Sequence, residues 1–208
     1  VTWRDGALRA ELSGRTLVNA VSKAANYLAD DAGVQAGTRV HVDLGAHWQS
    51  AVWHSAVLLA GGTLVPALLA DAVVSFPSQR TADGPHHAVA RHPLGLPDRE
   101  VPPGWANASA DVMGCADIYL GSRDLAQWAW WDGAVGVSLA DIRSAATTAC
   151  ASDQGTIAVT GHPVAVDAIT WHVAVPLLLG RPVLLCDRLP GDAAAAEQVV
   201  RRVEFAVG

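Results

Sequence analysis

Apolar residues in the first third of the chain recur with two different periods. Leu17, Val21, Ala24 and Leu28 return every three or four residues, which predicts a helix from about Arg15 to Ala32. Ser13 or Thr16 can cap its start, and Gly33 stops it. Val40, Val42 and Leu44 then alternate as a strand, and Gly45 opens a turn into a second helix, about His47 to Ala60. Gly61-Gly62 ends that helix, and Thr63 to Pro66 reads as a short buried strand. Ahead of all this, Thr2 to Leu8 carries Asp5-Gly6 between two extended runs, a hairpin signal. Helix and strand alternate, which favours parallel βαβ units over an antiparallel sandwich.

The same order returns later in the chain. Trp131-Asp132-Gly133-Ala134 echoes Trp3-Arg4-Asp5-Gly6-Ala7 with one residue fewer, and Ser138-Leu139 begins a helix to about Ala151. Gly155 follows as Gly33 did, Ile157 and Val159 form a strand, and Gly161 opens a turn into a helix from about Val164 to Leu179. Within it, Trp171-His172 repeats Trp53-His54 at an offset of 118, and Gly180 matches Gly62 at the same offset. A strand at Val183 to Leu185 follows. The expectation is one compact α/β unit over residues 1–208, with two similar βαβ halves, 1–76 and 131–208, whose mostly parallel sheets are flanked by helices.

Between the halves, residues 77–130 read as an irregular connection, rich in proline, glycine and histidine from Pro77 to Pro103. Val73 to Phe76, just before it, and Ala88 to Ala90, within it, are candidate short strands. At the end of the chain, Asp192 to Arg202 is expected to be a helix, with a strand beginning at Val203 to Val207.

Composition removes several classes. The mean hydropathy of +0.25 raises the question of a membrane, and Ser50 to Ala70 carries no formal charge. Gly61-Gly62 and Pro66 interrupt that run, so a buried helix, a turn and a buried strand account for it better than a span. Arg4, Asp5, Arg9 and Glu11 break any leader pattern at the start. The net charge of −6, with basic residues scattered, argues against a nucleic-acid partner. Cys115, Cys150 and Cys186 form no CxxC pair; free buried thiols in a reducing cytoplasm are expected. Lys23 is the only lysine in the chain.

Ser13 to Pro66 resembles the N-terminal region of the adenylate-forming superfamily, which includes acyl-CoA synthetases and peptide-synthetase adenylation domains. The resemblance rests on Thr2-Trp3, Asn26, the run Gly33-Val34-Gln35-Ala36-Gly37-Thr38-Arg39-Val40, and Ala60-Gly61-Gly62-Thr63-Leu64-Val65-Pro66. It covers about a quarter of the chain. The whole chain is similar to short, truncated AMP-binding-enzyme relatives of high-GC Gram-positive bacteria. The resemblance implies a large domain with two similar α/β halves, in agreement with the repeat.

The superfamily's functional motifs do not carry over. Where its glycine- and hydroxyl-rich phosphate loop should precede the helix near Ser138, this chain has Ile118-Tyr119-Leu120-Gly121-Ser122-Arg123-Asp124. Such loops work by converging backbone N–H groups, hydroxyls and a lysine on the triphosphate. Here there is one glycine, one serine and an acidic residue, and no lysine follows Lys23. Adenylation is therefore not expected, and no cofactor is. A GxGxxG after the first strand and a GxSxG nucleophile elbow are both absent.

Two turns remain as candidate ligand sites, because open parallel sheets bind ligands beyond the carboxyl ends of their strands. They are Asp43, Gly45 and His47 in the first half, and Thr160, Gly161 and His162 in the second. His47 and His54, seven apart on one helix, have the wrong spacing for a helical metal pair, and no metal is expected. His86, His87 and His92 read as solvated loop histidines. For the two Trp-His pairs, the expectation is tryptophans in the core and histidines capping buried polar groups. Trp128-Ala129-Trp130-Trp131 is either a partner surface or a lid over the core. Three functional classes follow: an inactive acyl-activating relative retaining a binding or scaffolding role, a protein-interaction subunit, and an enzyme of another mechanism. The expected partners are a small acyl or nucleotide-like ligand, a protein partner or a second copy of the chain.

Overall fold

The computed structural model describes residues 1–78, 84–121, 126–189 and 192–206. The chain opens with a hairpin, β1 (Thr2–Asp5) and β2 (Leu8–Glu11). Helix α1 (Gly14–Asp30) follows, with Ser13 Oγ accepting from the Thr16 N–H at 3.1 Å as its N-cap. Its buried face carries Leu17, Val21, Ala24, Ala25 and Leu28, the periodicity read from the sequence. Next come β3 (Arg39–Asp43), α2 (Trp48–Leu59), β4 (Thr63–Leu64), β5 (Ala72–Ser75) and β6 (His86–Ala88). A short helix α3 (Ala108–Asp111) leads towards a second hairpin, β7 (Trp128–Trp131) and β8 (Gly136–Ser138). The remaining elements are α4 (Leu139–Ala149), β9 (Thr156–Thr160), α5 (Ala165–Ile169), a π-helical continuation Thr170–Leu178, β10 (Val183–Cys186), α6 (Ala193–Ala196) and β11 (Val199–Glu204).

The strands form two sheets, ordered β11-β9-β10-β1-β2 and β6-β5-β3-β4-β7-β8. Within each, every pairing is parallel except the hairpin at one end. With β9 set against β3, β10 against β4 and β11 against β5, the two orders coincide, and β6 extends the second sheet by one strand. The hairpins, however, are exchanged. β1 pairs with β10, Thr2 opposite Leu184, and β7 pairs with β4, Leu64 opposite Trp130. Each sheet is thus completed by the hairpin that the sequence pattern assigns to the other half. Division of the chain at residues 76 and 131 does not follow the sheets.

The core joins both sheets in one cluster that includes Trp3, Leu28, Val40, Trp53, Ile142, Ile157, Trp171 and Leu185. Helix α2 is buried on every side, from Gln49 to Leu58, because α1 packs against it on one side and the π-helical segment on another. A helix apolar all round has no face for water, which is why the run Ser50 to Ala70 looks membrane-like in sequence. Among the described residues no helix is long and apolar enough to cross a membrane.

Several sequence expectations need correction. Asp192 to Arg202 is not one helix. Only Ala193–Ala196 is helical, and Val199–Glu204 alternates half-buried and exposed side chains as an edge strand beside β9. Its valines suit a pleated surface, and pairing outweighs the helical bias of the alanines before it. His86 and His87 are not solvated loop residues. They are 5% and 7% exposed on β6, which pairs with β5, and the His86 ring stacks on Trp105 with centroids 4.2 Å apart. The predicted helix from Val164 to Leu179 is a short α-helix that widens into a π-helix. Pro176 lacks the N–H an α-helical ladder would require, and Leu179 N–H instead reaches back to the Ala174 carbonyl at 2.9 Å.

Candidate functional site

The carboxyl ends of β3 and β9 face one another across a cleft of about 430 Å³. One wall is built from the end of β3 and its turn (His41 to Gly45), with His54 of α2 and the segment Leu64 to Ala67 after it. The other wall runs from His162 to Ala165 into α5 (Ala168 and Ile169) and His172, and Trp130 of β7 closes one side. Four imidazoles and the Asp43 carboxylate are therefore set into an otherwise apolar lining, and no lysine or arginine takes part.

Both turns depend on glycine. Gly45 has φ +54° and Gly161 has φ +77°, the left-handed region that side chains resist. A Cβ at Gly45 would overlap the His162 ring, so the absence of a side chain lets the two turns approach. Ala165, also in the lining, holds φ +55° without being glycine. Such a residue costs about 1–2 kcal/mol of backbone strain, which packing of the cleft wall must offset.

The histidines differ in what they touch. His54 Nδ1 donates to the Ser50 carbonyl at 2.7 Å, the tautomer that leaves Nε2 as an acceptor. His41 Nδ1 donates likewise to the Val65 carbonyl at 3.0 Å. His172 is 1% exposed, and neither of its ring nitrogens has a hydrogen-bond partner; His162 Nε2 is buried and unpartnered too. The His54 and His172 rings lie 5.2 Å apart, centre to centre, tilted by 50°. Burial pushes the His54 imidazolium down to about 4, and burial together with His54 and His162 holds His172 well below the ordinary value. Both rings are neutral at pH 7.

The structure separates the sequence candidates. Asp43, Gly45 and His162 line the cleft together. His47 does not. It caps α2, its Nδ1 accepting from the Gln49 N–H at 3.2 Å, and its ring sits among Trp3, Trp48 and Phe76. Thr160 Oγ1 turns to the Val203 carbonyl at 3.4 Å, and a Cβ on Gly161 would run into the Phe205 backbone, so both face β11 rather than the cleft. Of the Trp-His pairs, the tryptophans are core, 2% and 5% exposed, while both histidines line the cleft. His172 caps no polar group, contrary to the sequence expectation, because the widened π-helical turn presents its ring to the cavity. His41 escaped sequence reasoning altogether; as the residue two before Asp43 on an alternating strand, it shares that residue's face.

Other groups offer little chemistry. The thiols Cys150 and Cys186 are buried, and burial raises Cys186 to about 11, an inert thiol. Among the described residues no three His, Cys, Asp or Glu side chains are placed to share a metal ion. Lys23 is tied down at the surface, donating to the Cys115 carbonyl at 2.8 Å and pairing with Asp117 at 3.0 Å. At the position of the expected phosphate loop, the Tyr119 ring lies over Gly121, and Ser122 to Asp124 fall outside the described residues.

This is an acyl-CoA synthetase-like α/β fold. The structure superposes on an acyl-CoA synthetase from Brucella canis with a TM-score of 0.75 at 18% identity, covering 98% of this chain and 44% of that one. Coronafacic acid ligase from Pectobacterium brasiliense gives 0.70 at 14% identity, covering 99% and 47%. O-succinylbenzoate coenzyme A synthetase from Bacillus subtilis, solved with ATP and magnesium, gives 0.68 at 12% identity, covering 96% and 57%. The chain spans less than half the length of the first two. No family model and no curated protein matches its sequence. The likeness establishes the fold of the N-terminal subdomains of these enzymes, with its two mostly parallel sheets.

Proposed function

We propose that this chain is a non-adenylating member of the acyl-activating fold that keeps a binding role, with the histidine-lined cleft as its ligand site. The observation that carries the reading is His172, fully buried in the cleft wall with both ring nitrogens unpartnered. An unpaired buried polar group costs about 1–3 kcal/mol, so a ring that packing alone required would have been an apolar one. Two sheets presenting their strand ends to one cavity, with Trp130 of one exchanged hairpin at its side, also fit descent from an internal duplication with a ligand site at its seam.

Adenylation does not fit these residues. The chain's single lysine is held at the surface by Cys115 and Asp117, away from the cleft lining. A triphosphate would also meet the Asp43 carboxylate in a lining that holds no lysine or arginine. The reducing cytoplasm remains the compartment that suits three free cysteines. A second reading, docking to a protein, draws on Leu68, Ile118, Leu120 and Trp128, which are 96%, 69%, 91% and 54% exposed.

Two measurements test the proposal. Pyrophosphate exchange with magnesium, ATP and a panel of carboxylic acids should stay at the blank; turnover dependent on this protein overturns the non-adenylating reading. A thermal-shift panel of nucleotides, coenzyme A, acyl compounds and small polar aromatics should find a cleft ligand. At a hundred times its Kd such a ligand adds about 2.7 kcal/mol, or roughly 5–10 °C for a domain of this size.

A further inference from the structure

We infer that the cleft recognises an uncharged or cationic ligand with an N–H-donating head group, a primary amide or a primary amine, on a small apolar body. The inference rests on the cleft being a ligand site and names the chemistry that site selects.

The polar atoms at the bottom of the cleft are mostly acceptors. His54 spends its N–H on the Ser50 carbonyl and His41 spends its own on the Val65 carbonyl, so each turns an acceptor Nε2 outward from that bond. A neutral His172 ring adds one acceptor and one donor, both unpartnered, and Asp43 adds carboxylate oxygens. No lysine, arginine or serine stands in the lining to meet an anion. Of the two helix N-termini nearby, that of α2 is closed by His47, whose Nδ1 takes the Gln49 N–H, while that of α5, at Val164 and Ala165 in the lining, has no side-chain cap but carries the Asp167 carboxylate in its first turn. A carboxylate or phosphate would therefore meet only the backbone N–H groups at the start of α5, against imidazole lone pairs and the Asp43 carboxylate, and would lose its hydration in a low-dielectric cavity.

A primary amide or amine reverses each of these terms. Its two or three N–H groups match the converging acceptors, and an amide oxygen can take the single His172 N–H. The body of the ligand meets Val42, Leu64, Ala168 and Ile169, beside the Trp130 ring. A cavity of about 430 Å³ accommodates a single-ring compound with room for its substituent. Asp43, at the half-buried end of β3, separates the two head groups, since only an ammonium gains from its charge.

The experiment is a calorimetric and NMR titration of the full chain at pH 7.5 with benzamide, benzylamine, benzoate, inorganic phosphate and zinc chloride. Benzamide and benzylamine should bind, with benzoate and phosphate at least tenfold weaker. His172→Phe should weaken both binders at least tenfold while the thermal midpoint stays level or rises, because it removes two unpaired nitrogens at similar volume. Asp43→Asn should weaken benzylamine and spare benzamide. His162→Phe gives a second route to the same loss should His172→Phe not fold. Benzoate or phosphate binding as tightly as the amide overturns the inference and leaves the cleft a ligand site. Stoichiometric zinc binding abolished by His172→Phe overturns it in favour of a metal. If no probe binds and His172→Phe only stabilises, the ligand-site reading falls as well.

Discussion

Replacement of Trp171 by alanine is the sharpest test of how the π-helical segment packs into the core. The indole lies in the π-helical turn, 5% exposed, with the Arg201 guanidinium 5.6 Å above its ring. A tryptophan buries about 150–250 Å². At about 25 cal/mol per Å² this gives roughly 4–6 kcal/mol, an upper bound because the unfolded chain already buries part of that surface. Measured losses for buried large aromatics run at about 3–5 kcal/mol, and that is the expected cost. For a domain of this size each kcal/mol moves the thermal midpoint by about 2–4 °C, so Trp171→Ala should melt roughly 6–20 °C below the parent. Against a total stability of about 5–15 kcal/mol, soluble yield should fall as well. Trp53→Ala should behave similarly, since Trp53 is 2% exposed and its indole N–H donates to Gln49 Oε1 at 3.2 Å. Circular-dichroism melts and urea titrations of both variants give the answer. A Trp171→Ala midpoint within 2 °C of the parent would refute the reasoning, because a fully packed indole cannot be removed so cheaply.

Two further outcomes follow from the buried histidines and from the Gly45 turn. Folding lowers the imidazole values of His47, to about 3, and His54, to about 4, through burial, and His172 moves the same way. Each therefore contributes stability that is complete above about pH 6.5 and lost as pH falls towards 4, at up to about 1.4 kcal/mol per pH unit per group. Urea midpoints should fall steeply between pH 6.5 and 4.5, and less steeply in His172→Phe; a flat profile across that window would show these rings to be solvated. Gly45→Ala should lower stability by about 1–2 kcal/mol through its left-handed backbone alone, and displace the His162 ring, which a Cβ would overlap. An unchanged melt with an unchanged His162 imidazole resonance would show that the turns do not meet there.

Much of the local structure was legible because it obeys local rules. The 3.6-residue spacing of Leu17, Val21, Ala24 and Leu28 and the Ser13 cap define α1 within a residue or two. Asp5-Gly6 and Asp132-Gly133 mark hairpins for the same reason: φ at each glycine is positive, +56° and +103°, and Asp132 Oδ1 accepts the N–H groups of Ala134 and Val135. Strand-end glycines also pointed to Asp43, Gly45 and His162, since a parallel strand feeding a helix must turn where a ligand can approach. The fold class, α/β with mostly parallel sheets, came from alternation of the two periods.

Tertiary structure decided which strands pair and which side chains meet. No period in Thr2 to Glu11 says that this hairpin completes a sheet whose partner strand begins at Val183. Pairing across the whole chain is set by the packing of α2 and the π-helical segment between the halves, an energy term that no local window contains. The same holds for the edge strand Val199–Glu204, where a vacant side of β9 outweighed local helical preference. The cleft is the clearest case. His41, His54, His162 and His172 are spread over 131 positions of sequence, and no local pattern groups the four. Only the apposition of two strand ends makes them neighbours, and only burial, by stripping the water from His54 and His172, holds those two rings neutral.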